Sequence, residues 1–274
     1  MKVTLITDTP DHAVMAGMLD RLQARHRVAV ISPASDDPGA LAAHEGRSPA
    51  DVYLLKSRTP AGLDLAHRLE LCGALVVNGW SATLACQDRV LMARRLEVAG
   101  LPCPRTWSAV TLGRALPLLG GLQFPLVIKS RFSRSGDLVA RVHDDSEVEA
   151  LLSEWKDEPV ILQHFEDNDG WDVKMWVVGD HAYAARRPST LTPDAGCDTV
   201  PILQDELSPA WVAAILRIGR EFDLSLYGVD LLVTGHGPSI VDVDAFPGYR
   251  GVPNAADALA AFTEGLNMEA SASA

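Results

Sequence analysis

Apolar and polar positions follow two rhythms along this chain. From residue 1 to about 80, short apolar runs ("KVTLIT", "RVAVIS", "DVYLLKS", "ALVVN") alternate with stretches of helical spacing. In "DHAVMAGMLDRLQAR", Val14, Met15, Met18, Leu19 and Leu22 fall on one helical face, and "PAGLDLAHRLELC" also reads as a helix. Strand and helix in turn predict a small parallel α/β unit. Its first turn, "TDTPDHA", contains no glycine, which disfavours a dinucleotide cofactor.

Beyond residue 85 the pattern changes to longer strands and hairpins. Residues 88–99 predict a helix with Asp88 as N-cap, Gly100 just past its end and Pro102 as a stop. Arg89 in its first turn opposes the helix dipole, so it is either solvated or facing an anion. The strands "FPLVIKS", "LVARV" and "PVILQHF" follow, with a helix from "DDSEVEALLSEW" among them. "WDVKMWVVGDHAYAARR" predicts a hairpin with a Gly-Asp turn. "SPAWVAAILRIGREF" predicts a helix with Ser208 as N-cap, Pro209 at N1, and Trp211, Ile215, Ile218 and Phe222 in the core. The small, polar tail at 271–274 is expected to be without structure.

A second hairpin joins "YGVDLLVT" to "SIVDVDA" through Gly235–Pro238. Carboxylates two apart on a strand point the same way, so Asp242 and Asp244 share a face, and the fold-back puts Asp230 opposite the neighbourhood of Asp242. The residues between them are Val, Leu and Ile, so the acids are at least half-buried and need a cationic partner. A hard cation such as Mg²⁺, with Mn²⁺ as the substitute, takes oxygen ligands of this kind together with substrate phosphates. Lys129 ends a strand, and the hydroxyl-bearing turn "RFSRSGD" after it, with Ser135, is of the sort that closes over phosphates.

Composition narrows the partners. A formal net charge of −12 over 274 residues excludes a basic nucleic-acid footprint. No stretch approaches a membrane span, and the start has no apolar signal region. The four cysteines show no C-x-x-C spacing, as expected of a cytoplasmic enzyme with free thiols. Small molecules are the expected partners, and a homodimer is the default assembly.

The ordered set of Lys-bearing strand, loop, "ILQHF", "VKMWVVGD", "GVDLL" and "VDVDAFPG" resembles the ATP-grasp superfamily over about 75–265. The resemblance implies an α+β ATP-grasp fold with an N-terminal α/β domain at 1–85. A small lid subdomain at 86–165 and a large subdomain at 166–270 would clasp ATP between antiparallel sheets. It implies that Lys129 and Arg89 hold the nucleotide phosphates and that Gln163, His164 and Phe165 form the adenine hinge, chiefly through backbone groups. Asp167 or Asp169 would touch the ribose. Asp230, Asp242 and Asp244 would bind the metal, the last where relatives usually carry Asn.

Two branches compete. The helix "DRVLMARRLEVAGLPCPRT" is similar to carboxylate–amine ligases of the ribosomal-protein glutamate ligase kind, which phosphorylate a carboxylate and let an amine attack the acyl phosphate. "RRPS" and "DAFPGYRGV" resemble inositol-polyphosphate kinases, where Lys56 and Lys174 would contact phosphorylated substrate. The chain lacks the kinases' histidine-bearing glycine loop, and an ADP-forming ligase is the expectation. Arg187 and Lys174 are its catalytic candidates; Lys56, Arg58, Arg186 and Arg250 are its substrate candidates. A non-catalytic ATP-binding module is disfavoured, because the acids and Lys129 are retained.

Overall fold

Short runs of Val, Leu and Ile build the first of three sheets. In the computed structural model, which describes residues 1–33, 50–134, 136–189, 191, 199–203 and 205–272, with side chains through Leu266, it comprises β1 (Lys2–Ile6), β2 (Arg27–Ile31), β3 (Val52–Leu55) and β4 (Val76–Val77). The four strands are parallel, in the order β2-β1-β3-β4. Helix α1 (Ala13–Gln23) buries Met15, Met18, Leu19 and Leu22, the stripe that the 3.6-residue period marks. Helix α2 (Pro60–Leu71) starts at Thr59, whose hydroxyl accepts from Gly62 N.

Helices α3 (Trp80–Gln87) and α4 (Arg89–Val98) lead into the second sheet. Asp88 caps α4 by accepting from Val90 N. Strands β5 (Thr106–Ala109), β6 (Leu126–Ser130), β7 (Val139–Val142) and β8 (Val160–His164) form an antiparallel sheet in the order β5-β8-β6-β7. Leu126, Ile128, Val160 and Leu162 pack on α5 (Leu112–Leu119) and α6 (Asp145–Trp155). Strand alternation turns Val127, Lys129 and Gln163 to the opposite face.

The third sheet carries both hairpins: β9 (Asn168–Val178), β10 (His181–Pro188), β11 (Val200–Ile202), β12 (Leu226–Thr234) and β13 (Gly237–Ala245), in the order β11-β10-β9-β12-β13. Val173, Met175, Val177, Val229, Leu231 and Val243 pack against α4 and α7 (Pro209–Phe222). The alternate residues Asp172, Lys174, Asp230 and Asp242 turn the other way. Further along that second face, Trp176 and Val178 pack with α1, β1 and α8 (Ala255–Ala272). Helix α8 runs into the segment expected to be without structure; its residues 273–274 lie outside the described residues.

Candidate functional site

Asp230 and Asp242 are direct cross-strand partners in the β12–β13 ladder. The register slips between Asp230 and Leu231, so Val241 is the extra residue of a bulge. The bulge gives Lys129 a partner across the cleft: its Nζ donates to Val241 O at 3.2 Å. Lys129 is buried, and burial pulls its pKa down against the opposing pull of Asp242.

Adjacent like charges on a ladder destabilise it, and here cations separate them. Lys174, opposite Asp230 on β9, places Nζ 2.8 Å from Asp230 Oδ1 and 3.0 Å from Asp244 Oδ2. Burial disfavours its ammonium, yet Asp230 and Asp244 outweigh burial and raise its pKa. Gly228 makes the room: a Cβ there would sit 3.3 Å from Lys174 Cε. Arg187 Nη2 donates to the other oxygen of Asp230 at 2.9 Å. Asp244 also accepts from Arg58 Nη1 at 3.2 Å. Despite burial, the Lys174 and Arg58 charges hold its carboxyl well below the usual range.

Arg89 is 4% exposed and faces anions: Nη1 donates to Ser130 O (2.8 Å) and Asp137 (2.6 Å), and Nη2 lies 3.4 Å from Asp242 Oδ2. This resolves its opposition to the helix dipole. Burial opposes its charge, but Asp242 and Asp137 prevail and its pKa rises. Asp242 keeps weaker neutralisation, and burial raises its pKa.

Two cavities meet at this cluster. The first, about 200 Å³, lies between the second and third sheets and is lined by Arg89, Lys129, Gln163, Phe165, Asp230 and Asp242, among others. The second, about 450 Å³, is lined by His12, Lys56, Lys174, Arg187, Asp244 and Arg250, among others. Arg187 borders both. Lys56 has no acid within ion-pair distance among the described residues. Burial, then Arg58 and Arg250, bring its pKa down to about 8.

The hinge residues Gln163, His164 and Phe165 all border the first cavity. The Gln163 amide donates to Thr106 Oγ1 (2.9 Å), His164 Nδ1 lies 3.1 Å from Gln123 O, and Phe165 stacks beneath Arg141. The Phe165 amide donates to Pro125 O at 3.0 Å, so that backbone donor is engaged.

The residues expected at the ribose lie off the cavity wall. Asp167 and Asp169 are exposed and absent from the cavity wall, and Asp169 pairs with Arg186. Glu166 and Asn168 line the wall instead, and Glu166 Oε2 is buried without a hydrogen-bond partner. Arg186 itself is exposed against Trp171, outside both cavities, and Arg58 braces Asp244 from the rim without lining either cavity. Ser135 lies outside the described residues. Asp172, which the sequence reading passed over, is buried beside Arg187 with a raised pKa, chiefly from burial. Its only signal was alternation with Lys174.

Among the described residues no three His, Cys, Asp or Glu side chains gather as an ion-holding group, because Lys174 stands between Asp230 and Asp244. Asp230 and Asp242 still fit a hard cation as a pair. Asp230 Oδ1 is buried and, although near Lys174, lacks a well-directed hydrogen bond.

A cleft between two antiparallel sheets, with a buried Lys and Arg facing strand acids, is the arrangement that the ATP-grasp resemblance implies. Solved structures agree on the fold. D-alanine–D-alanine ligase from Bacillus anthracis matches at a TM-score of 0.72 and 18% identity, over 96% of this chain and 95% of that one. A RimK domain ATP-grasp protein from Sphaerobacter thermophilus matches at 0.68 and 24%, over 96% and 99%. The chain belongs to the RimK-like ATP-grasp family, whose model matches residues 106–261. A probable alpha-L-glutamate ligase 2 of Shewanella frigidimarina is 24% identical over 294 aligned positions, 96% of each chain. The chain is thus an ATP-grasp protein of the RimK-like family, and both the Shewanella relative and the Bacillus anthracis structure are named as ligases. No helix among the described residues is long and apolar enough to cross a membrane.

Proposed function

We propose that this enzyme joins a carboxylate to an amine through an acyl phosphate, and that its substrate is an acidic amino acid such as L-glutamate. The observation that carries the reading is Arg187, which borders both the nucleotide cavity and the basic cavity beside it. A guanidinium in that place meets a phosphoryl group on its way from ATP to a carboxylate. The basic cavity favours an acidic substrate: among the described residues Lys56, Arg187 and Arg250 line it, while the lining acid Asp244 is already paired. The Shewanella relative, named as a glutamate ligase, agrees with this chemistry.

In this reading Lys129 and Arg89 hold the phosphates. Gln163, His164 and Phe165 wall the base, and Glu166 takes the ribose. Asp230 and Asp242 would hold Mg²⁺, or Mn²⁺ in its place, which when bound neutralises phosphate charge; Asp244 anchors Lys174 at the edge of that pair. A substrate carboxylate oxygen attacks the γ-phosphorus and ADP leaves with the bridging oxygen. The amine then attacks the acyl carbon and phosphate departs. Burial of Lys129 and Arg89 keeps their charges strong toward a bound anion, because the surrounding dielectric is low. The enzyme is expected in the cytoplasm, where ATP is at hand.

Incubation with ATP, Mg²⁺ and L-glutamate is expected to release ADP and phosphate in equal amounts. Hydroxylamine in place of the amine should trap the acyl phosphate as a hydroxamate. ADP without free phosphate would replace this reading with transfer to a hydroxyl, the kinase chemistry.

A further inference from the structure

We propose that His12, from the N-terminal domain, accepts the proton of the attacking amine. The inference rests on the ligase reading above. An α-amino group is mostly an ammonium at pH 7 and cannot attack until it loses a proton, so the basic cavity needs an acceptor.

His12 is placed for that task. It is the N-cap residue of α1, yet its side chain makes no capping hydrogen bond. Its ring lines the basic cavity with Lys56, Gly248 and Arg250. Nδ1 is buried with no hydrogen-bond partner, and Nε2 is the ring nitrogen that faces Gly248 on the cavity wall. Gly248 keeps that edge clear: a Cβ there would lie 2.8 Å from Nε2.

The charged groups around the ring favour its neutral form. Lys56 at the end of β3, Lys174 on β9, Arg187 on β10 and Arg250 beyond β13 all border the same cavity. The acid among them, Asp244, is held by Lys174 and Arg58. Burial, then Arg250 and Lys56, lower the His12 pKa from its ordinary 6.5, so the imidazole carries a free lone pair at neutral pH. Among the described residues, the acids of the site and Lys56 are otherwise occupied. Asp230 and Asp244 hold Lys174, Asp242 faces Arg89, and Lys56 is mostly an ammonium below about pH 8.

The step balances without a co-reactant. The amine nitrogen bonds to the acyl carbon as the carbon–oxygen bond to phosphate breaks, and phosphate leaves with the electron pair. Before that attack the ammonium gives one proton to Nε2 of an imidazole whose own hydrogen is on Nδ1, and the second proton lost by the nitrogen leaves on the departing phosphate. The imidazolium then returns one proton to water.

Hydroxylamine supplies the test, since it is largely unprotonated at neutral pH and needs no base. With ATP, Mg²⁺ and L-glutamate, His12→Asn should slow amide formation by about 100-fold or more while hydroxamate forms within about threefold of the wild-type rate. Its amide-forming rate should climb about tenfold per pH unit toward the pKa of the amine, where the wild type is already flat. A parallel loss of both products in His12→Asn would make the residue structural and overturn the proposal, as would undiminished amide formation. A wild type that forms neither product removes the ligase reading itself, and this inference with it.

Discussion

Lys174 donates to Asp244 across the face of the large sheet, its Nζ 3.0 Å from Oδ2. The same ammonium holds Asp230, so one buried cation serves a buried acid and a half-buried one on different strands. Removing one partner of a buried ion pair leaves an uncompensated charge and costs about 3–5 kcal/mol. Lys174→Met is therefore expected to lower Tm by roughly 5–9 °C. Asp244→Asn should cost far less, because Lys174 keeps Asp230. Thermal melts of the two variants check the order; equal losses would mean that Lys174 is not the shared anchor.

Asp242→Asn separates chemistry from stability. Burial raises the Asp242 pKa, so its charge weakens the fold at neutral pH, and a neutral amide should leave Tm unchanged or higher. Stability linked to this group falls as pH rises between its unfolded and its raised folded pKa. Turnover should nevertheless drop by at least about 100-fold, as expected when a group facing developing phosphoryl charge is lost. ADP release and melting curves, with and without Mg²⁺, read both effects. Near-normal turnover would remove Asp242 from the nucleotide site.

Lys56 predicts an alkaline limb. Its pKa is brought down to about 8, and only the ammonium attracts an acidic substrate. The value of kcat/KM reports the free enzyme, so it should fall as pH rises through about 8. Because burial penalises that ammonium, its contribution to stability runs the other way: the fold gains as pH rises from about 8 toward the unfolded lysine value. Lys56→Met should raise KM for L-glutamate about tenfold or more, abolish the alkaline limb and leave Tm unchanged or higher. A limb that survives the substitution belongs to another group.

What could be read from the chain divides along lines of sequence distance. The pairing of Asp230 with Asp242 was legible because the tight turn, expected at Gly235–Pro238 and formed by Gly235 and His236, constrains register. Arg89 was legible because its place in a helical first turn defied the dipole. The insertion of Lys174 between acids was not, since it depends on β9 lying beside β12 rather than next to its chain neighbours. The bulge at Val241 was equally hidden, as no glycine marks it. Helices α3 and α8 escaped because their alanine-rich runs give little contrast between faces. His12 shares a cavity with Arg250 from 238 positions away, a distance that periodicity does not span.

Which residues face the cavity here follows the parity of one strand. At the entrance to β9 the even and odd positions separate, and Glu166 and Asn168 rather than Asp167 and Asp169 meet the cavity. A buried carboxylate oxygen without a donor is costly, and a ribose hydroxyl supplies that donor. If Glu166 Oε2 takes this bond, wild-type enzyme should use 2′-deoxy-ATP with a KM about tenfold higher than for ATP, a charge-assisted hydrogen bond being worth about 1.5–3 kcal/mol. Glu166→Ala should bring the two nucleotides level by weakening ATP alone. Comparing both nucleotides on both proteins isolates the pairwise term from any general loosening of the site. Discrimination that persists in Glu166→Ala would place the hydroxyl elsewhere, with Asn168 the next residue on the same wall.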